Sequence, residues 1–288
     1  MRTRIISILL FTMTNVITAN AWSDGVSLKP VFKPGQEYRY AINVSVDTQV
    51  TPTGTNGIAG SVHRETEATV VLRALAIENG EVTNEAIIEA ITSHTTVDGV
   101  DRPGTGTSLI GQKIQYRLDA QGRVAKIFLP VAATETGLPD LIFSLTLWSP
   151  AGEVAVGQTW CAGGENCIGD LGYISGITEI PKSVAVLYKL SSLSDSKATV
   201  EGAITLNQSG SSLLTTKEAR IDVAVIAAGK GSSLVEYDVA GSRIITATTE
   251  TTLEGRLSTT PPTRAGEKLQ PREGSVVEKA KFSVRLIQ

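Results

Sequence analysis

Histidine, cysteine and aromatic residues are scarce in this chain of 288 residues. It contains two histidines, two cysteines and only 5% Phe, Trp and Tyr. His63 and His94 are far apart in sequence, and no Gly-x-Ser-x-Gly motif accompanies them, so no Ser-His-Asp catalytic set is predicted. No closely spaced group of His, Cys and Asp residues has the pattern of a zinc site. The sequence therefore predicts no catalytic residues, no metal ligands and no cofactor-binding residues, and it predicts a protein that is not an enzyme.

Blocks of like charge and long apolar runs are also missing after the first 21 residues. Lysines and arginines are scattered among the acidic residues rather than gathered on one stretch. Proteins that bind nucleic acid or anionic membrane surfaces neutralise phosphates with clustered basic residues, so neither partner is predicted. No later apolar run is long enough to cross a bilayer, and the mature chain is predicted to have no transmembrane span.

The first 21 residues have the pattern of a secretory signal peptide. Arg2 and Arg4 precede a mostly apolar stretch, and Ala19-Asn20-Ala21 places small residues where a signal peptidase reads them. Cleavage is expected before Trp22, and it changes the formal net charge from -3 to -5. An uncleaved membrane anchor is the alternative, but the apolar part is short for a span. The sequence thus predicts an exported protein, either periplasmic or extracellular.

The two cysteines, Cys161 and Cys167, are close together in sequence. In an exported protein a local disulfide is the natural pairing for them. A bond that closes so short a loop stabilises a turn more than the whole fold. A metal site would need further ligands nearby, and a redox-active pair would need Cys-x-x-Cys spacing. The sequence around the two cysteines has neither feature. We therefore predict a disulfide between Cys161 and Cys167.

Alternation with a period of two residues predicts a mainly β fold. After the turn pair Pro34-Gly35, apolar and polar residues alternate over 38–46. Asn79-Gly80 predicts a hairpin between strands 66–77 and 82–92, although helix propensity alone would also fit the second of these. Further strands are predicted at 114–118, 124–129, 183–190, 198–206, 219–227, 233–239, 243–253 and 276–287.

Two pairs of similar motifs predict an internal duplication. Gly35-Gln36-Glu37-Tyr38 is echoed by Gly157-Gln158-Thr159-Trp160, 122 residues later. Tyr116, in a strand that ends at a glycine turn, is echoed by Tyr237 at an offset of 121 residues. Because the two offsets are nearly equal, the sequence predicts two tandem antiparallel β modules. After the signal peptide, residues 1–21, the modules are expected to span 22–150 and 151–288.

One α-helix is predicted over 138–148, as the connector at the end of the first module. Pro139 and Asp140 suit a first helical turn, and Pro150 ends the helix. Its apolar stripe is expected to lie on the face of a sheet. The residues of that stripe are Leu138, Leu141, Ile142, Leu145 and Trp148.

Three segments resemble motifs of a group of exported bacterial proteins with duplicated β modules. They are 32–38, 115–122 and 154–160, and the resemblance covers most of the mature chain. The group brings no catalytic residues to this chain. Its sheets look similar to the open, strongly curved half-barrels of periplasmic lipoprotein carriers, which is a fold analogy. The resemblance implies that the two predicted modules are curved and half-barrel-like.

Two functions from different classes remain open. The first is an envelope protein whose curved sheet binds a lipid or another apolar ligand. The second is a non-catalytic structural module that pairs with another envelope protein. An inward apolar face that surrounds an empty volume would favour the first, and a filled core with an exposed sheet edge or apolar patch would favour the second.

Overall fold

The structure is a computed structural model, and it describes most of the chain after residue 24. The predicted signal peptide, the predicted helix 138–148 and Cys167 lie outside the described residues. The described residues are 25–29, 31, 33–78, 81–102, 109–118, 124–128, 149–150, 152–162, 168–169, 180, 182–194, 196–215, 220–260 and 270–287.

These residues form one large, curved, open antiparallel sheet. The described part of the chain has 13 strands and no α-helix. The predicted mainly β, antiparallel and curved fold is thereby confirmed. The strands are β1 (Glu37–Thr53), β2 (Gly60–Glu78), β3 (Glu81–Val97), β4 (Val100–Arg102), β5 (Lys113–Leu118), β6 (Val124–Phe128), β7 (Thr159–Ala162), β8 (Ile168–Gly169), β9 (Lys182–Leu193), β10 (Lys197–Thr215), β11 (Arg220–Asp238), β12 (Arg243–Thr260) and β13 (Arg272–Leu286).

The strand order places the first and last of these strands side by side. The order across the sheet is β6-β5-β3-β2-β1-β13-β12-β11-β10-β9-β7, with β4 on β3 and β8 on β9. β1 and β13 pair from Tyr40 opposite Leu286 to Thr53 opposite Glu273. The sequence predicted two tandem β modules, and in the structure the strands from 22–150 and from 151–288 lie in one sheet. The pairing of β1 with β13 satisfies the backbone hydrogen bonds of two strand edges that separate sheets would leave open.

Several strands are far longer than the sequence predicted. β10 and β11 each have 19 residues, which corresponds to a length of about 60 Å. The prediction of two strands at 219–227 and 233–239 was wrong, since β11 runs through both without a turn. Gly229 and Gly231 lie within this strand, and a Cβ at either position would collide with a backbone carbonyl of β12. These glycines therefore permit close backbone approach inside the sheet.

One face of the sheet is apolar and the other is polar. In β1 the side chains of Tyr38, Tyr40, Ile42 and Val44 are buried, while the residues between them are exposed or half-buried. The strand registers align the apolar residues of β1 with those of its neighbours, so that Ile42 lies opposite Ala68 of β2 and Val284 of β13. Buried side chains from both halves of the sheet form one hydrophobic cluster.

Candidate functional site

Four buried tyrosines lie on the apolar face, on strands β1, β5 and β11. Tyr38, Tyr40, Tyr116 and Tyr237 are all at most 3% exposed. Burial raises the pKa of the Tyr116, Tyr237 and Tyr40 hydroxyls, and the nearby phenols add smaller effects in the same direction. These hydroxyls therefore keep their protons at neutral pH and act as uncharged hydrogen-bonding groups.

Two of these tyrosines bind backbone carbonyls of distant segments. The Tyr40 hydroxyl donates to the carbonyl oxygen of Ile244 at 3.2 Å, which ties β1 to β12 across the intervening β13. The Tyr237 hydroxyl donates to the carbonyl oxygen of Lys29 at 2.8 Å, which holds the segment before β1 against β11. Both hydroxyls thus have a structural role, since each holds a distant segment of the backbone against the apolar face.

Asn84 and Tyr116 behave differently. They lie directly opposite each other on β3 and β5, and both are 0% exposed. The Asn84 Nδ2 and Oδ1 atoms and the Tyr116 hydroxyl have no hydrogen-bond partner among the described residues. A buried polar group without a partner costs about 1–3 kcal/mol, so native proteins seldom keep one without a reason. This pair is the strongest candidate for a polar ligand contact on the apolar face.

Aromatic side chains cover the opposite end of the sheet. Trp160 on β7 stacks on Tyr188 of β9, with ring centroids 5.8 Å apart and an interplanar angle of 27°. Tyr188 lies opposite Gly202 of β10, and a Cβ at that glycine would be 2.8 Å from Cε1 of the tyrosine ring. The ring therefore fills the space that a side chain at position 202 would need.

A few polar side chains interrupt the apolar face in the middle of the sheet. Thr48 and Glu278 lie opposite each other on β1 and β13, and both are buried. Arg64 lies opposite Val46 on the same face. A buried carboxylate needs hydrogen bonds or a counter-charge to remain ionised. The centre of the face is therefore less suited to a purely apolar ligand than the two ends.

Ion pairs between neighbouring strands dominate the polar face. The carboxylate of Glu85 is 3% exposed and accepts from Arg73, with Oε1 2.6 Å from Nη2, while the Lys113 Nζ lies 3.6 Å from Oε2. Burial alone would raise the pKa of Glu85, but hydrogen bonds from Arg73 and Gln115 and the nearby positive charges outweigh it and lower that pKa. Arg39 of β1 also forms a two-pronged pair with Glu89 of β3, across the intervening β2, at 2.7 and 2.9 Å.

Each of the two histidines lies beside a carboxylate of a neighbouring strand. The His63 Nδ1 atom lies 2.6 Å from Asp47 Oδ1, and the His94 Nε2 atom lies 3.3 Å from Asp101 Oδ1. The hydrogen bond to Asp47 raises the pKa of His63 above its ordinary value, against a smaller opposing effect of burial. These contacts could not be predicted from the sequence, because they depend on the strand register.

A shallow groove of about 580 Å³ lies on the polar face across β1, β13, β12 and β11. Its charges are mixed, and Lys281 Nζ lies 2.6 Å from Glu250 Oε1. The groove is lined by Ser45, Asp47, Lys230, Gly231, Ser232, Glu250, Thr251, Thr252, Lys279, Ala280 and Lys281.

No three His, Cys, Asp or Glu side chains in the described part of the chain are grouped closely enough to hold a metal ion. Within the same residues, no helix has the length and apolar character needed to cross a membrane.

Of the two cysteines predicted to form a disulfide, the described residues include Cys161. Cys161 lies on β7, opposite Leu187 of β9, and it is half-buried. Since Cys167 lies outside the described residues, the disulfide stays a prediction. The polar pair of Asn84 and Tyr116 was missed, because an Asn in an alternating run gives no sign of which strand it faces.

Comparison with known proteins gives no family. No protein-family model and no curated protein matches the chain at a significant level. Among solved structures, a lipovitellin chain studied for lipid-protein interactions is 13% identical with a TM-score of 0.49, over 90% of this chain and 26% of that one. OccK5 (OpdH) of Pseudomonas aeruginosa is 5% identical with a TM-score of 0.24, over 89% of this chain and 99% of that one.

The β domain of the Bordetella autotransporter BrkA is 10% identical with a TM-score of 0.23, over 85% of this chain and 98% of that one. This chain thus spans about a quarter of the lipovitellin chain that it matches. All three TM-scores are below 0.5, so the function must be argued from the residues of the chain itself.

Proposed function

We propose that this chain is an exported protein that binds a lipid or another apolar ligand on the apolar face of its curved sheet, without catalysis. The observation that carries the proposal is the extent of that face, which reaches across both halves of the sheet although Thr48, Arg64 and Glu278 place polar groups near its middle. Apolar residues from strands on both sides of the β1–β13 pair belong to one cluster, and the sheet is open at its ends. Because most of these side chains are already buried within the chain, an elongated apolar ligand would insert into this buried layer along the curved sheet.

The energy of such binding comes from the apolar area that leaves water. At roughly 25 cal/mol per Å², burial of about 300 Å² of alkyl surface contributes about 7 kcal/mol before the costs of ordering. No charged anchor is needed for affinity of this size. That agrees with a face on which charged side chains are few.

A displacement assay tests this proposal. A fluorescent fatty acid should bind the wild-type chain saturably. Phe282 is a half-buried residue of the apolar face, and Phe282→Ser should weaken binding of the fatty acid about five-fold or more. Leu234 lies on the polar face and is 48% exposed, so Leu234→Ser is the matched control and should leave binding unchanged. Native mass spectrometry of protein from its own host should show co-purified lipid. Absence of saturable binding to the wild-type chain would reject the proposal.

We also infer that the chain consists of two tandem modules, 22–150 and 151–288, joined within the one sheet. Two similar turns support this, since Gln36 N donates to Lys33 O and Gln158 N donates to Ala155 O, both at about 3 Å. The glycine of each turn has a positive φ, 79° at Gly35 and 88° at Gly157.

Each of these turns precedes an aromatic-bearing strand, β1 or β7. Tyr116 on β5 and Tyr237 on β11 each lie three strands along the sheet from that strand. Superposition of β1, β2, β3 and β5 on β7, β9, β10 and β11 tests the inference. If Tyr116 and Tyr237 then fall on different faces or at different ends of their strands, the duplication is wrong.

A structural module that pairs with another envelope protein is the second candidate. β7 favours it, because this strand stands last in the strand order and its recorded partner within the described residues is β9. A strand at the end of a sheet is the usual place for strand addition by a partner. Under this function the displacement assay shows no saturable binding, while an envelope partner is captured through β7.

A further inference from the structure

We propose that Asn84 and Tyr116 form a hydrogen-bonding anchor for the head group of a neutral amphiphile bound along the apolar face. This rests on the proposed function and adds to it the chemical class of the ligand. The observation behind it is the set of three buried hydrogen-bonding atoms, Asn84 Nδ2, Asn84 Oδ1 and the Tyr116 hydroxyl, none of which has a partner in the described part of the chain.

The two side chains lie close together and on the same face. Asn84 and Tyr116 are directly opposite residues of adjacent antiparallel strands, and such pairs have Cβ atoms about 5 Å apart. A single ligand group could therefore contact both side chains, and because both are 0% exposed it would have to enter the buried layer beside them. The neighbouring residues of the same face are apolar and buried, namely Ala86, Ile88, Ile114 and Leu118. A polar head at the pair would leave an alkyl tail among these residues.

The second half of the sheet provides an internal comparison. Tyr237 occupies the position on β11 that corresponds to Tyr116 on β5, and its strand neighbour is Ala198 rather than an asparagine. The Tyr237 hydroxyl is used by the carbonyl of Lys29. An amide side chain and an unused phenol hydroxyl are thus found together at Asn84 and Tyr116, and not at the corresponding residues Ala198 and Tyr237.

The chemistry of the pair selects an uncharged head group. An asparagine amide both donates and accepts, and a protonated phenol does the same, so a hydroxyl group satisfies both. A carboxylate would have to lose its hydration without gaining a counter-charge from either side chain. We therefore expect a long-chain alcohol to bind better than either the matching alkane or the matching carboxylate.

The experiment compares ligands that differ only in the head group. Displacement of the neutral probe N-phenyl-1-naphthylamine is measured with 1-octanol, octane and octanoate at pH 8 on the full chain. The loss of one hydrogen bond in Tyr116→Phe should weaken 1-octanol binding about five-fold, and octane binding should stay within two-fold. Asn84→Ala, which places at this position the residue found at 198, should act in the same direction.

Tyr237→Phe is the matched control, because it also removes one phenol oxygen from the apolar face. It should leave the ratio of 1-octanol to octane affinity unchanged. A measurement on the wild-type chain avoids any dependence on how the variants fold. In protein labelled with ¹³C at tyrosine Cζ, 1-octanol should shift the Tyr116 resonance, and octane should not.

The outcomes separate the two proposals. If 1-octanol and octane both bind but their ratio is the same in wild type, Tyr116→Phe and Asn84→Ala, the anchor is wrong, and the pair holds at most a structural water. The same conclusion follows if 1-octanol leaves the Tyr116 resonance in place. If none of the ligands displaces the probe saturably from wild type, the apolar-ligand function fails and the anchor fails with it.

Discussion

At the scale of single residues, the partners of the buried phenols decide what each tyrosine contributes to stability. In the absence of ligand, Tyr237→Phe should lower the free energy of unfolding by about 1 kcal/mol, because the hydrogen bond to the carbonyl of Lys29 is lost. Tyr116→Phe removes a hydroxyl without a partner in the described chain and should leave that free energy unchanged or raise it. Urea denaturation of the two variants checks both expectations. A loss of 1 kcal/mol or more in Tyr116→Phe would show that its hydroxyl is satisfied in the free protein.

The buried carboxylate of Glu85 predicts a dependence of stability on pH. Its pKa is lowered in the folded chain, so its contribution to stability is present above the unfolded pKa of about 4.3 and is lost as the pH falls through the folded pKa. Glu85→Gln should therefore cost about 1 kcal/mol at pH 7, a value reduced because Arg73 is one-third exposed, and less at pH 3.

The matched control for this change is Glu81→Gln. Glu81 pairs with Arg117 at 3.3 Å, and both side chains are about half exposed, so the change should have almost no effect at either pH. Chemical denaturation at the two pH values gives the comparison. An equal loss for Glu85→Gln at pH 7 and pH 3 would contradict the expectation.

At the scale of strands, glycines inside the sheet set how closely neighbouring strands approach. A Cβ at Gly255 of β12 would collide with the carbonyl of Ile226 and the backbone of Ala227 on β11. Gly255→Ala should therefore destabilise the fold by about 2 kcal/mol, because a backbone strand must move to accept the methyl group.

Gly152→Ala provides the control for this prediction. Position 152 has open space around its Cβ direction and no positive φ, so an alanine there should be neutral within about 0.5 kcal/mol. Thermal unfolding of both variants is the measurement. The prediction is wrong if both alanines are tolerated equally.

The strands also show what could be read from the sequence and what could not. Alternation after Pro34-Gly35 predicted β1 and its buried side, since that pattern is local. The same reasoning split β11 at Gly229 and Gly231, because a glycine for close approach and a glycine for a turn look alike without the partner strand. Asn84 was assigned to a strand correctly, but its contact with Tyr116 depends on a register that no local pattern specifies.

At the scale of the whole molecule, the single sheet predicts a single unfolding transition. Strands of both predicted modules pair at β1 and β13, and their buried residues form one cluster, so neither half should unfold independently. Urea unfolding followed by tryptophan fluorescence and by circular dichroism should give coincident curves. Two separated transitions would show that the two halves are independent in stability.

The pairing of β1 with β13 also determines the order in which the sheet can fold. Tyr40 and Leu286 are opposite each other although 246 positions separate them along the chain. Closing so long a loop is entropically costly and slow. Until β13 has formed and paired with β1, the central strand edge of each half of the sheet therefore stays unpaired. The interval before this last strand is in place is the time at which the chain is most exposed to aggregation through those edges. A chaperone that binds an unpaired strand edge during folding should therefore raise the folding yield of this protein more than that of a sheet whose neighbouring strands are all consecutive in the chain.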